Sequence, residues 1–325
     1  MNPMFKRAAL IAIIGILFII IGSSYGLDLN DLPVIATGNS DNTISIWNSS
    51  GKQTQNFLAH DGAITGVLFS PDGKFLYSSS EDKSVKLWSA ADGSLENTFQ
   101  GHNAAVTCIA LSPDGNLLAS GDADGIVKIW NAQTYKLLVT VHAHNNAVRA
   151  LAWNPGSDIL ASGGADRLIQ IWKSNGNLIG TIVGHDEPIT GLAWLPNGHT
   201  LISSAQDGYI KVWNTDNLNL IQRVKGDEHA VNAIALSPNG GRLASAGYDG
   251  HIRIWKITNS HLKGSCCALA DTPATCLAWS KNGNYLVSAG KDNAIRYWNP
   301  STMTLVEKIN ANGNSVTALA VSPNS

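Results

Sequence analysis

The sequence predicts an all-β chain built from seven similar units of four short strands each. Three observations carry this. Trp47, Trp88, Trp130, Trp172, Trp213, Trp255 and Trp298 recur at intervals of 41, 42, 42, 41, 42 and 43 residues, the self-similarity that marks a repeat architecture. An Asp stands six residues before each Trp (Asp41, Asp82, Asp124, Asp166, Asp207, Asp249 and Asp292), and a hydroxyl stands four before each Asp (Thr37, Ser78, Ser120, Ser162, Ser203, Ser245 and Ser288). Between these landmarks a unit reads VTCIALS, PDGN, LLASG, DADG and IVKIW, which is strand alternation interrupted by turn residues. The composition agrees, since 44% hydrophobic against 14% charged residues is too apolar for disorder. Lys plus Arg number 22 against 24 Asp plus Glu. With no basic surplus to neutralise a phosphate backbone, no nucleic-acid partner is expected.

In chain order, the first element is of another kind. Residues 1–26 place Lys6 and Arg7 before an unbroken apolar run from Ala8 to Gly22 that contains seven Ile. This is the pattern of an export signal, whose core is ~7 to 15 residues long, or of a single-pass signal anchor, although ~20 residues span a bilayer more comfortably. Small residues at Gly22 and Ser24, or at Ser24 and Gly26, allow cleavage. If it fails, residues 8–22 hold the chain to the membrane. The expectation is therefore a protein membrane-anchored with its body on the non-cytoplasmic side, or secreted or periplasmic if the segment is cleaved. Residues 27–33 form a short linker, and residues 34–325 hold the repeats.

The unit GHNAAVTCIALSPDGNLLASGDADGIVKIWN resembles the WD-repeat family. The Gly-His pair, the Ser-Pro-Asp-Gly turn, the Ser, the Asp and the Trp recur in fixed register across residues 34–325. One feature departs from the family: the residue after the repeat Trp is never Asp, as in Trp47-Asn48, Trp88-Ser89 and Trp172-Lys173. The resemblance implies a seven-bladed β-propeller. The chain starts at the second strand of a unit (VIATGNSD) and stops just after the first strand of another (SVTALAVSP). Val316 to Val321 must then complete the blade begun by Val34 to Phe57, so that the C-terminal strand closes the N-terminal blade, without which the first and last blades would expose strand edges.

His60, His102, His144 and His185 each lie four residues before the first apolar residue of a unit's first strand. In the family such a His forms a hydrogen-bonded network with the Ser, Asp and Trp. The expected sets are His60, Ser78, Asp82 and Trp88; His102, Ser120, Asp124 and Trp130; His144, Ser162, Asp166 and Trp172; and His185, Ser203, Asp207 and Trp213. A Ser, a His and an Asp also make a hydrolase triad, but catalysis needs one copy and the trio occurs four times. Three units carry Asp227, Ala270 and Asn312 in place of the His, and those blades are expected to be the least stable. Trp153, Trp194 and Trp279 share a first-strand position with Phe69, Leu111 and Leu236, which leaves no spare Trp as a sugar platform. Cys108 and Cys276 occupy a position filled elsewhere by Gly or Ala, so they read as packing residues; Cys266 and Cys267 are neighbours, where a disulfide would be strained. The His142-x-His144 pair has no third ligand in register, and no metal or cofactor is expected.

The expected function is a non-enzymatic scaffold that holds protein partners. The alternatives are a small-molecule or glycan binder in the propeller channel, or an exported propeller enzyme. Aligned units put two sets of residues at the rim of one face. The first-strand position reads Thr65, Thr107, Arg149, Thr190, Asn232, Thr275 and Thr317, and the position before the turn Asp reads Ser40, Glu81, Ala123, Ala165, Gln206, Tyr248 and Lys291. Arg149, Asn232, Tyr248, Lys291, Gln206 and Glu81 are larger than repetition requires. They form the expected partner-binding rim, with a partner carrying an acidic segment.

Overall fold

A computed structural model describes residues 32–311 and 315–324. In chain order, β1 (Ile35–Asn39), β2 (Thr43–Trp47) and β3 (Gln53–Leu58) precede six sets of four strands. Blade 1 is β4 (Ile64–Phe69), β5 (Phe75–Ser80), β6 (Val85–Ser89) and β7 (Leu95–Phe99). Blade 2 is β8 (Val106–Leu111), β9 (Leu117–Asp122), β10 (Ile126–Asn131) and β11 (Leu137–His142). Blade 3 is β12 (Val148–Trp153), β13 (Ile159–Gly164), β14 (Leu168–Lys173) and β15 (Leu178–Val183). Blade 4 is β16 (Ile189–Trp194), β17 (Thr200–Ala205), β18 (Tyr209–Asn214) and β19 (Asn219–Lys225). Blade 5 is β20 (Val231–Leu236), β21 (Arg242–Gly247), β22 (His251–Thr258) and β23 (His261–Leu269). Blade 6 is β24 (Ala274–Trp279), β25 (Leu286–Gly290), β26 (Ala294–Asn299) and β27 (Thr304–Asn310), and β28 (Val316–Val321) follows.

Each set is an antiparallel sheet, and blade 7 has the order β28-β1-β2-β3. The C-terminal strand thus pairs with the first one, with Ile35 opposite Val321 and Gly38 opposite Ala318. The fold is the closed seven-bladed propeller expected from the sequence. Its core lies between blades. Trp88 of blade 1 packs with Ile44 and Ile46 of blade 7, Trp130 of blade 2 with Tyr77 and Leu87 of blade 1, and Tyr297 of blade 6 with Ile35 and Trp47 of blade 7. An indole that buries ~150 to 250 Å2 contributes up to roughly 4 to 6 kcal/mol, and here each needs the neighbouring blade as its other wall. Ring closure is therefore part of the core.

The sequence landmarks have local causes. The polar residues between the second and third strands form tight turns; at Gly125 φ is +82° and a Cβ would collide with the carbonyl oxygen of His144, so only Gly fits. At the start of each inner strand the register slips by one residue, for example between Ile64 and Gly66 and between Val148 and Ala150. The skipped residue is the one whose side chain the bulge re-aims. Those residues are Thr65, Thr107, Arg149, Thr190, Asn232, Thr275 and Thr317.

The expected location is corrected. Among the described residues no helix is long and apolar enough to cross a membrane; these residues form strands, which satisfy their backbone groups within the blades instead of along an apolar helix. The export or anchor segment, residues 8–22 included, lies outside the described residues.

Candidate functional site

All seven repeat Trp side chains donate their indole N–H to the hydroxyl ten residues earlier. The distances run from 2.8 Å for Trp88 to Ser78 to 3.2 Å for Trp47 to Thr37. In blades 1 to 4 the same Ser Oγ lies 2.7 or 2.8 Å from a His Nε2: Ser78 and His60, Ser120 and His102, Ser162 and His144, Ser203 and His185. His Nδ1 then meets a carboxylate: Asp82 at 2.8 Å, Asp122 at 2.7 Å, Asp166 at 2.9 Å and Asp207 at 2.8 Å. Donor counting assigns the protons. The indole can only donate and the carboxylate only accept, so Ser Oγ–H donates to Nε2 and Nδ1–H donates to Asp in a neutral imidazole.

This is the hydrogen-bond order of a Ser-His-Asp triad. What differs is access: Ser78, Ser120, Ser162 and Ser203 are each 0% exposed, and the indole N–H occupies the oxygen that would attack a substrate. Burial holds His60, His102 and His144 below the ordinary imidazole range, against the opposing pull of their carboxylates. Burial pushes Asp207 up, but hydrogen bonds from His185 and the Tyr209 amide prevail and hold it at about 2.

Two arrangements were not anticipated from sequence. In blade 2 the His102 partner is Asp122, not Asp124, which is exposed. Asp122 also accepts the amides of Asp124 and Ile126, so the acid has moved two residues along the same turn. The signal was the second Asp in the unit, where sister turns have Ser80, Gly164 or Ala205. The other arrangement concerns blades without His. In blade 5 Arg253 chelates Asp249 (Nη2 to Oδ2 2.5 Å, Nη1 to Oδ1 3.2 Å) and lies 3.7 Å from buried Asp227. In blade 6 Arg296 Nη2 lies 2.5 Å from Asp292 and 3.3 Å from Asp271. Both Arg stand two residues before the repeat Trp, where blades 1 to 4 have Lys86, Lys128, Gln170 and Lys211. In blade 7 Asn312 lies outside the described residues, and the Asn39 amide donates to Thr43 and Ser45.

The rim residues fall into two groups. Thr65, Thr107 and Thr190 send their hydroxyls to the next blade's inner strand, at Val106, Val148 and Val231 O respectively, over 2.5 to 2.7 Å. Asn232 does the same to Ala274 O at 3.4 Å, so it is a blade-to-blade tie and half-buried. Arg149 is exposed and makes no such tie. Gln206, Tyr248 and Lys291 are exposed at turn tips of blades 4, 5 and 6, and Glu81 at that of blade 1. Tyr248 is 61% exposed and packs against His229, with ring centroids 5.9 Å apart and the planes tilted by 53°. The turns lie against the loops that lead into the inner strands, through Gln206 N to Pro188 O and Tyr248 N to Ala230 O. Those loops expose Asp186, Glu187, Glu228 and Asp271, which gives the rim mixed charge, whereas the expectation from sequence was that it meets an acidic segment.

The remaining Trp act as ties in the opposite direction. Trp153, Trp194 and Trp279 donate to Ala110, Ala152 and Ala235 O of the preceding blade at 3.0 or 3.1 Å. All four cysteines are free, and burial pushes the Cys108 and Cys276 thiols up to about 12 and about 11. Among the described residues no group of His, Cys, Asp and Glu could hold a metal ion.

This blade geometry, with its repeated Trp-Ser-His-Asp chain, defines a WD-repeat propeller. A family model described as the IFT122 first beta-propeller matches residues 63–219, and one described as WD domain, G-beta repeat, matches residues 218–256 and 261–299. The chain belongs to the WD-repeat family of β-propellers. Relatives include the nuclear distribution protein nudF of Aspergillus terreus, 40% identical over 65 residues, which are 20% of this chain and 15% of that protein. The nuclear distribution protein PAC1 of Gibberella zeae is 41% identical over 54 residues, which are 17% of this chain and 12% of that protein. The matches thus span well under two thirds of the relatives' own length. Those relatives are named for nuclear distribution, whereas the expectation from sequence was an exported or membrane-anchored chain.

Proposed function

We propose that the protein is a non-enzymatic scaffold whose ring holds a protein partner at the upper rim, the face of the second-to-third-strand turns. WD-repeat propellers suggest protein interaction as a class, and the rim chemistry supports the finer reading. The observation that carries it is Arg149: at a bulge position where Thr65, Thr107, Thr190 and Asn232 tie neighbouring blades, this blade instead projects an exposed guanidinium. Gln206, Tyr248 and Lys291 follow it around the ring on blades 4 to 6 and supply hydrogen bonds and one aromatic anchor, the residue types of binding hot spots. Glu81 stands apart on blade 1, and Asn232 contributes through the wall of the channel. Because carboxylates interleave with this arc, the partner surface we propose is of mixed charge.

Affinity capture with the full chain, followed by binding measurements on the recovered partner, tests this. Arg149→Ala combined with Tyr248→Ala is expected to weaken binding by about 2 kcal/mol or more with the melting temperature unchanged. Equal binding by the double variant moves the site elsewhere.

A further inference from the structure

Arg242 of β21, Lys256 of β22 and Lys263 of β23 stand in one transverse row, Arg242 paired with Lys256 and Lys256 with Lys263. Like charges directly opposite one another on a sheet are destabilising. Among the described residues no ion pair relieves them: residues 229–270 contain one acid, Asp249, and Arg253 holds it at the other end of β22. The row lines a cleft of about 560 Å3 on the lower face, between blades 5 and 6, together with Cys266, Pro300 and Ser301, and none of the described residues lining it is acidic. Elsewhere the lower turns carry acids, and Lys74 and His199 are paired there with Asp72 and Asp216.

The row is also held in place. The β22–β23 hairpin is the longest in the ring, with strands of 8 and 9 residues. Near its tip Ser260 Oγ lies 3.2 Å from Thr200 Oγ1, and the Gln222 amide group bonds both the N–H and the C=O of Leu262. The strand positions that carry the three cations are therefore held side by side, an arrangement of like charge that an anion would relieve.

We propose that this cleft binds an extended acidic segment of a protein partner, on a surface separate from the upper rim and independent of the reading given for that rim. The row covers two interstrand spacings, roughly 10 Å, and alternate residues of an extended chain are ~6.7 Å apart, so carboxylates on alternate residues reach successive cations. Arg242 has only long contacts, 3.5 Å to Pro300 O and 3.4 Å to Ser301 Oγ, which leaves donors of its planar fork for one carboxylate. Ile254 and Pro300 offer apolar flanks to the side-chain stems.

Cys266, a free and exposed thiol in the cleft, reports occupancy. The experiment measures alkylation of Cys266 by iodoacetamide on the full chain, with a Glu-Ala-Glu-Ala-Glu peptide, its Gln counterpart or inorganic pyrophosphate added. The Glu peptide is expected to slow Cys266 about tenfold at saturation. Cys267, on the opposite face of the strand, should be unaffected, and the Gln peptide should have no effect. Lys256→Gln with Lys263→Gln, both at exposed positions, should abolish the protection without lowering the ligand-free melting temperature. No protection by the Glu peptide, or protection that survives the double substitution, overturns the proposal. Protection by pyrophosphate with none by the peptide overturns it in favour of a small polyphosphate ligand.

Discussion

At the scale of single residues, the same three side chains that hydrolyse bonds elsewhere are here bound into the core. The Trp88 indole N–H on Ser78 and the complete burial of that Ser leave His60 and Asp82 to tie a turn to a strand. Acid should loosen these ties. Since the folded-state pKa values of His60, His102 and His144 lie below 6.5, the unfolded chain takes up protons that the folded one refuses as pH falls below that value, and stability falls with it. Asp82 and Asp207, depressed below 3.8 by the hydrogen bonds that outweigh their burial, add a second loss as pH falls from there toward the folded-state values. Calorimetry from about pH 7 to about pH 5 should show a falling melting temperature, with a shallower slope when the three His are changed to Gln. Equal slopes would mean that these His do not titrate with folding.

At the scale of the blade, the four-stranded unit was legible in full because its Trp, Asp and hydroxyl sit at fixed offsets in a register that one misplaced residue would break. What was not legible is how a blade manages without the His. Arg253 and Arg296 share a third-strand position with Lys86, Lys128, Gln170 and Lys211, and only their side-chain reach shows them meeting Asp249 and Asp292. The expectation that the His-lacking blades are the weakest thus meets a compensating ion pair in two of the three. Arg253→Gln leaves Asp227, 0% exposed, and Asp249 without their shared cation. Urea denaturation should show a loss of roughly 2 to 3 kcal/mol, less than the ~3 to 5 kcal/mol of a fully buried pair because the Arg is partly exposed. A loss under about 0.5 kcal/mol would class it with surface ion pairs.

At the scale of the whole molecule, the repeat register also made the closure of β28 on β1 legible, since Val316 to Val321 reads as a first strand and Val34 to Phe57 supplies the second, third and fourth strands of a blade. Rim chemistry was legible in part. Arg149 and Tyr248 stood out against their sister blades, but the tie made by Asn232 and the carboxylates beside the turns depend on bulge geometry and on loops meeting across the face, which offsets along the chain do not reveal. The basic row on the lower face escaped for the same reason, because Arg242, Lys256 and Lys263 become neighbours only through strand pairing. The central claim, that the ring acts by holding a partner at its upper rim, is tested most directly by hydrogen exchange on the complex with the captured partner. Slowed exchange is expected in the segments around Arg149, Gln206, Tyr248 and Lys291, with the lower turns of blades 1 to 4 unchanged. Protection that spares all four of those segments would contradict the claim.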